Sequence, residues 1–270
     1  MALTSFQKRV ANIIADNRRR SGESYVAGGA ALNALIGAPR VSEDLDIFHD
    51  TEEAVHVEFE KDRAELLTAQ FTVTVKRQWE TFIEALVESH GESTELQWAF
   101  DSAYRFFPLM DHDELGLTLH PFDLATNKVL ALVGRAVPRD WVDVIECDSR
   151  LQPLGYLAWA AAGKDPGLNP TFILDQAARS GRYTEVELAR VTFDGDRPTA
   201  AALSQQWKRV LAEAGNVVAG LPWQETGKCV LDRSGNLLRL SASSLLNAIE
   251  RGDARFHEGS LRGAYPKIAR

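Results

Sequence analysis

Two aspartates, Asp44 and Asp46, interrupt a short apolar segment that ends at Phe48. The pattern predicts a β-strand, and side chains on a strand alternate between its two faces. Both carboxylates should therefore lie on one face and Leu45 on the other. Charged groups in an apolar strand destabilise the fold unless an ion pair or a bound metal compensates the charge. We interpret the pair as ligands for Mg²⁺, which binds carboxylate and phosphate oxygens and can align an attacking hydroxyl with a leaving pyrophosphate.

A glycine pair, Gly28-Gly29, lies between a predicted strand at residues 24–27 and a predicted helix at residues 30–36. Glycines permit positive φ and close backbone approach, and the free N–H groups of a helix N-terminus bind phosphate. Alone, a Gly-Gly pair is usually a turn and an Asp-x-Asp is usually a solvated strand end. The order strand, Gly-Gly, helix, Asp-x-Asp together predicts a metal and nucleotide site.

A second charged group lies in the segment after residue 120, where the pattern becomes helical. Lys128 and Arg135 are seven residues apart, or two helical turns, so both can face one ligand. A lysine there can neutralise nucleotide phosphates. Asp140 and Asp143 share a helix face, so one can orient Lys128 while the other reaches the catalytic centre. The alternative is a salt-bridged pair of helices with no catalytic role.

These motifs resemble the nucleotidyltransferase signature of the DNA-polymerase-beta-like superfamily, and in particular the AbiEii/AbiGii toxin family, which includes MenT-like toxins that modify tRNA. The stretches that carry the resemblance are residues 25–33 (YVAGGAALN), 40–48 (RVSEDLDIF), 122–132 (FDLATNKVLAL), 134–135 (GR) and 138–143 (PRDWVD). They cover roughly residues 20–150.

The resemblance implies transfer of a nucleoside monophosphate from an NTP to a hydroxyl, with Mg²⁺ as cofactor. It further implies a toxin of the toxin–antitoxin type, with a tRNA or other RNA end as acceptor and a cognate antitoxin as partner. The residues it assigns are Asp44, Asp46, Lys128 and Asp143 as catalytic, with Asp44 and Asp46 also as metal ligands, and Gly28, Gly29, Ser42 and Arg135 as nucleotide-binding.

The third carboxylate that polymerase-like enzymes often supply from a neighbouring strand has no clear counterpart. In the predicted strand at residues 95–101, Gln97 occupies the middle of the face where an aspartate is expected. Asp101 lies about 13 Å farther along an extended strand. Three options stay open: Asp101 serves after a bend, Asp143 substitutes, or no third ligand exists.

The elements that must position these residues predict an α+β fold. Residues 1–120 should form the nucleotidyltransferase domain, a small mixed sheet with helices, and residues 121–270 a mainly helical domain that holds substrate. Within the second domain, residues 230–240, split by Ser234-Gly235-Asn236, predict a hairpin.

Composition limits the class of protein. The chain has 270 residues, two cysteines far apart and a formal net charge of −8. The cysteines fit neither a disulfide framework nor a zinc site, so we expect a reducing cytoplasm; with no stretch of about 18 apolar residues, we expect no membrane span. The net charge means that RNA binding needs a local cationic surface, for which Arg18-Arg19-Arg20 is a candidate beside Lys128, Arg135 and Arg139.

Two rival functions remain. A small-molecule nucleotidyltransferase of the antibiotic-modifying type would share the metal site, and the acidic charge slightly favours it. The other rival is a catalytically degenerate nucleotide-binding or antitoxin-like module. Gln97 supports it, because this residue stands where a third carboxylate is expected.

Overall fold

A computed structural model describes residues 3–267. Contacts divide the chain into two compact units: the chain up to Ala103 with Pro108–His120, and Tyr104–Phe107 with the chain from Pro121 onward. The helices are α1 (Ser5–Ser21), α2 (Gly28–Ile36), α3 (Glu52–Thr68), α4 (Pro121–Arg135), α5 (Pro138–Arg150), α6 (Leu154–Ala161), α7 (Pro170–Ala177), α8 (Glu185–Leu188), α9 (Ala200–Gly220) and α10 (Ala242–Glu250). The strands are β1 (Ser24–Ala27), β2 (Asp44–His49), β3 (Thr72–Trp79), β4 (Phe82–Ser89), β5 (Glu92–Phe100), β6 (Tyr104–Arg105), β7 (Met110–His112), β8 (Gly116–Thr118), β9 (Cys229–Leu231), β10 (Arg255–His257) and β11 (Ser260–Leu261).

The first unit is built on a mixed sheet whose strand order, among the described residues, is β3-β4-β5-β2-β1-β8-β7. β2 runs antiparallel to β1 and parallel to β5. One face packs against α1 and α3, where Trp98 of β5 meets Phe59 of α3 edge-on at 5.0 Å between ring centroids. The sheet with its helices confirms the predicted α+β class.

Local sequence explains where the helices of this unit begin and end. Thr4 and Gln7 form a reciprocal capping box at the start of α1, and Gly22 ends the helix with φ +67°. Phe6, Val10 and Ile14 recur at helical spacing and are buried. These short-range signals define both ends of α1 and the face that it buries.

In its described residues, up to residue 267, the second unit is mainly helical and contains two small two-stranded sheets. The Tyr104–Phe107 segment belongs to it because Asp123, fully buried in α4, accepts hydrogen bonds from the amides of Phe106 and Phe107 at 2.8 and 3.0 Å. Lys164 pairs with the same carboxylate at 2.9 Å. The interior charge of Asp123 is thus fully partnered.

The predicted hairpin at residues 230–240 is present, although it is short. Asp232 does close a turn there, accepting hydrogen bonds from the amides of Ser234 and Asn236. Its arms are joined by an antiparallel bridge between Leu231 and Leu237 and by backbone hydrogen bonds from Leu238 to Val230 at 3.0 Å and from Asp232 to Asn236 at 2.8 Å. The sequence did not predict the second neighbour of β9, which is the antiparallel strand β10.

Across residues 3–267, no helix is long and apolar enough to cross a membrane.

Candidate active site

The two aspartates lie on one face of β2, as their alternation predicts. Asp44 and Asp46 are half-buried, whereas Leu45 and Ile47 on the opposite face are buried in the core. The apolar face fixes the strand, and the strand fixes the direction of both carboxylates.

Gly28 lies directly against this carboxylate pair. Its φ is +65°, a left-handed conformation that favours glycine, and a Cβ at this position would overlap the Asp46 carboxylate. The reason is the pairing of β1 with β2, which places Ala27 opposite Asp46. Only a glycine allows the start of α2 and the Asp46 side chain to occupy their present positions.

Helix α2 begins at Gly28, and no side chain caps its N-terminus. The first N–H groups of a helix have no partner within the helix and carry a partial positive charge. This end of α2 therefore combines two features suited to a triphosphate chain: amide donors and a carboxylate pair that can hold a cation.

Gly29, the second glycine of the pair, lies against the side chain of Arg40. A Cβ on Gly29 would overlap the guanidinium of Arg40 and lie 3.3 Å from Ser42 Oγ. Arg40 is buried, and its Nη1 donates to the Val41 carbonyl at 3.2 Å. A side chain at this position would therefore first collide with Arg40, and the role of Gly29 in nucleotide binding stays a prediction.

The loop that leads into β2 is held from several sides. Ser42 Oγ donates to Asp44 Oδ1 at 3.1 Å, which orients the first carboxylate. Gln7 of α1, itself buried, donates to the Ser42 carbonyl at 2.9 Å, and Thr94 of β5 donates to the Glu43 carbonyl at 3.4 Å. Sequence reasoning missed Gln7 and Thr94 because they lie 35 and 51 residues from their partners.

The register of β5 settles what lies beside the aspartates on the sheet. Gln97 is the partner of Asp46, and Glu95 is the partner of Asp44. Asp101 follows the end of β5, where its carboxylate accepts a hydrogen bond from the Ser102 amide at 2.8 Å. The nearest carboxylate in register is therefore Glu95, which is exposed and which sequence reasoning did not select.

The donor set fits Mg²⁺ bound together with a nucleotide. In the part of the chain that the structure describes, no group of three or more His, Cys, Asp or Glu side chains is arranged to hold a metal. Asp44 and Asp46 supply hard oxygen ligands from one strand face. Mg²⁺ is usually held by one or two carboxylates, with substrate phosphates and water completing the octahedron.

The second charged group forms a compact cluster in the second unit. Lys128 Nζ lies 3.0 Å from Asp140 Oδ1 and 3.2 Å from Asp143 Oδ2, and both carboxylates are fully buried. Arg135, half-exposed, pairs with Asp140 at 2.6 Å. Burial opposes the charge of Asp140, but the hydrogen bond from Arg135 and the charge of Lys128 outweigh it and lower the pKa of this carboxyl.

This cluster agrees with the predicted shared faces of Lys128, Arg135, Asp140 and Asp143. It also meets the description of the salt-bridged alternative, since each carboxylate has the lysine as partner. These ion pairs define the positions of the four residues. Their catalytic roles stay a prediction.

The arginine triplet is not the cationic surface that the sequence suggests. Arg18 is fully buried and donates to the carbonyls of Ala11 and Leu115, so it cannot contact RNA. Arg19 pairs with Asp111 and Asp16, and Arg20 lies 3.7 Å from Glu65. The triplet helps to hold the first unit together, and carboxylates already offset its two remaining charges.

The buried thiols offer no nucleophile. Cys147 and Cys229 are free and buried, and burial raises the pKa of both well above the ordinary value. Thiolate chemistry is therefore not available to either residue at neutral pH.

Comparison with known proteins shows similarity of fold. The chain resembles the crystal structure of JHP933 from Helicobacter pylori, with 13% identity over 80% of this chain and 95% of that one and a TM-score of 0.55. It also resembles an H. pylori protein provisionally named a nucleotidyltransferase (12% identity, 80% and 96% coverage, TM-score 0.54). A third similar structure is MenT4, a nucleotidyltransferase toxin from Mycobacterium tuberculosis (18% identity, 77% and 82% coverage, TM-score 0.50). No family model matches the sequence, and neither does any curated protein.

Proposed function

We propose that this protein is a Mg²⁺-dependent nucleotidyltransferase, which moves a nucleoside monophosphate from an NTP to a hydroxyl acceptor and releases pyrophosphate. The observation that carries the proposal is the juxtaposition of Gly28, at the uncapped start of α2, with the Asp44/Asp46 pair on β2. It brings phosphate donors and cation ligands to one place, and the fold in which it occurs resembles that of nucleotidyltransferases.

In the proposed reaction the acceptor oxygen forms a bond to the α-phosphorus, and the bond from that phosphorus to the oxygen bridging to the β-phosphate breaks. Asp44 and Asp46 would hold Mg²⁺, which would supply positive charge to neutralise the phosphates as negative charge develops on them. Gly28, Gly29 and Ser42 line the triphosphate at the start of α2. Ser42 acts partly through Asp44, whose carboxylate it orients.

Lys128 and Arg135 are proposed to neutralise phosphate oxygens, and Asp143 to accept the proton of the attacking hydroxyl. Lys128 shares its charge between Asp140 and Asp143. Because Asp143 is fully buried, its proposed role requires that substrate binding expose its carboxylate. In this reading Asp140 is a positioning residue, because it contacts both cations and would not itself contact substrate.

The acceptor that we propose is an RNA end, with tRNA the expected class. Support comes from the sequence resemblance to AbiEii/AbiGii toxins, of which we propose this chain to be a distant relative, and from the likeness to a nucleotidyltransferase toxin. A toxin role in the cytoplasm with a cognate antitoxin belongs to the same proposal. A small-molecule acceptor is the second candidate, favoured by the net charge of −8 and by the pairing of the arginine triplet.

The test is to incubate the protein with each labelled NTP, Mg²⁺ and total RNA. We expect label on RNA with at least one NTP, and no label after Asp46→Asn, which keeps the shape of the side chain but removes a charged ligand. Circular dichroism confirms that the variant is folded. A folded Asp46→Asn variant with near parental turnover contradicts the metal assignment. Label on aminoglycoside-type hydroxyls but not on RNA selects the second candidate.

A further inference from the structure

The face of the sheet that carries the aspartates extends beyond them as two rows of side chains in register. The strand pairings define the first row as Asp46, Gln97, Glu84 and Arg77, and the second as Phe48, Ala99, Phe82 and Trp79. Within one strand the two rows are two residues apart, so they lie on the same face. An aromatic row thus runs beside the row that begins at a proposed metal ligand.

The outer end of the aromatic row is open to solvent. Trp79 is 58% exposed, and its ring lies 5.6 Å from that of half-buried Phe82, with 31° between the ring planes. The Arg77 guanidinium lies 6.0 Å from the Phe82 ring centroid and 57% of its side chain is exposed. Aromatic rings with a cationic rim are the surface on which nucleic-acid bases stack and phosphates bind.

This surface is fixed in place by its neighbours. Arg77 forms an ion pair with Glu84, which is buried one strand inward. His56 of α3 donates from Nε2 to the Trp79 carbonyl at 3.1 Å and lies 3.4 Å from Gln78 Nε2. An exposed tryptophan whose backbone is held in this way loses little further freedom on binding, so the surface is preorganised.

Strand addition by a protein partner is a poor fit to this edge. β3 is the outermost strand, and its pairing with β4 shifts between Val75 and Arg77, so that Lys76 occupies a bulge. Bulges and lysines on edge strands are devices that prevent pairing with another chain. Lys76 is exposed and adds a second positive charge to the strand that carries Trp79 and Arg77.

We propose that the row from Trp79 to Phe48 binds the single-stranded end of an RNA acceptor and directs it toward the Asp44/Asp46 pair; this rests on the proposed function. Three strand spacings separate β3 from β2, which is about 14 Å. Four-stranded sheets that bind RNA through aromatic side chains stack two or three bases over such a surface. The bases would stack on Trp79 and Phe82, with Lys76 contacting the backbone.

The test is a binding titration that does not depend on turnover. The probe is a fluorescein-labelled 12-nucleotide single-stranded RNA of mixed sequence, titrated with the full chain carrying Asp46→Asn, with Mg²⁺ at low salt, and followed by anisotropy. Adding Trp79→Ala should weaken binding by roughly 5-fold or more, the loss of one stacked base, and Trp79→Phe should recover most of it. Lys76→Ala should lower the log–log salt slope by about 0.7.

The matched control is Trp223→Ala. Trp223 is 55% exposed, close to the exposure of Trp79, but it belongs to the second unit, where its ring lies 5.5 Å from that of Trp159 with 48° between the ring planes. We expect no change in RNA affinity from this substitution. An equal loss from both substitutions would mean that any exposed tryptophan binds the probe, and would overturn the proposal.

The remaining outcomes separate this inference from the proposed function. Absence of RNA binding at low salt, or binding indifferent to Trp79, overturns the inference even if nucleotide transfer to a small hydroxyl is observed. Binding that depends on Trp79, without transfer to any acceptor, supports the surface and refutes the proposed function. A self-association of the parent chain that Trp79→Ala abolishes assigns the surface to a second copy and overturns the inference.

Discussion

Replacing Gly28 with alanine is the sharpest test of the site, because the chain supplies a matched control. Gly28 and Gly22 both have left-handed backbones, with φ +65° and +67°, and each lies at a helix end. A Cβ on Gly22 would meet nothing within 4 Å, whereas a Cβ on Gly28 would overlap the Asp46 carboxylate. The two substitutions share the cost of the backbone conformation and differ only in the collision.

The magnitude follows from these two contributions. A non-glycine residue in the left-handed conformation costs roughly 1–2 kcal/mol, so both variants should lose about this much stability from the backbone. The collision in Gly28→Ala should cost roughly a further 1–3 kcal/mol. For Gly28→Ala, rotation of Asp46 cannot clear the overlap, since even the Cβ of Asp46 would lie 2.9 Å from the new methyl. The carboxylate or the start of α2 must move, and a displacement near 1 Å in an active site can cost about 100-fold in rate.

The assay is nucleotide transfer under the conditions in which the parent is active, alongside urea unfolding of all three proteins. We expect Gly22→Ala to keep transfer within about 3-fold and Gly28→Ala to lose about 100-fold, measured at a urea concentration and temperature at which both variants are folded. A folded Gly28→Ala variant with transfer equal to that of Gly22→Ala would refute the reasoning, because the geometry of Asp46 would then be irrelevant to the reaction.

Three further perturbations test separate parts of the structure. Gly29→Val should weaken NTP binding by about 10-fold, because the valine displaces Arg40. The double variant with Arg40→Ala should recover part of this affinity, as measured by calorimetry with a non-hydrolysable NTP. Equal weakening in the single and the double variant would mean that the valine obstructs phosphate directly. Lys128→Met leaves two buried carboxylates without their shared partner and should cost about 3 kcal/mol in urea unfolding; a loss below about 1 kcal/mol would contradict the buried pairing. Burial lowers the pKa of His49 to about 4. As the pH falls below about 6.5, His49 is therefore protonated in the unfolded chain while it stays neutral in the folded chain. Between pH 7.5 and pH 5 this difference should lower the free energy of unfolding by about 2 kcal/mol. His49→Phe should lose that part of the pH dependence, and an unchanged pH dependence would contradict the assignment.

Part of this protein could be predicted from the sequence because the relevant physics is local. The alternation of Asp44, Leu45 and Asp46 decides which face each side chain takes once the segment is a strand. The capping box at the start of α1 is likewise local, because it is formed by Thr4 and Gln7, three residues apart. The seven-residue spacing of Lys128 and Arg135 places both on one side of α4, and both contact Asp140 in the fold.

Only the tertiary structure decided the rest, because strand register and the partners of buried charges depend on residues far apart in the sequence. Nothing near Gln97 in the chain shows that it pairs with Asp46, or that Glu95 pairs with Asp44. Arg18 belongs to a run of three arginines that predicts a solvated cationic patch, yet it is buried. The carbonyl of Leu115, 97 residues away, accepts its hydrogen bonds in the interior, and a buried charge persists only where such distant partners converge.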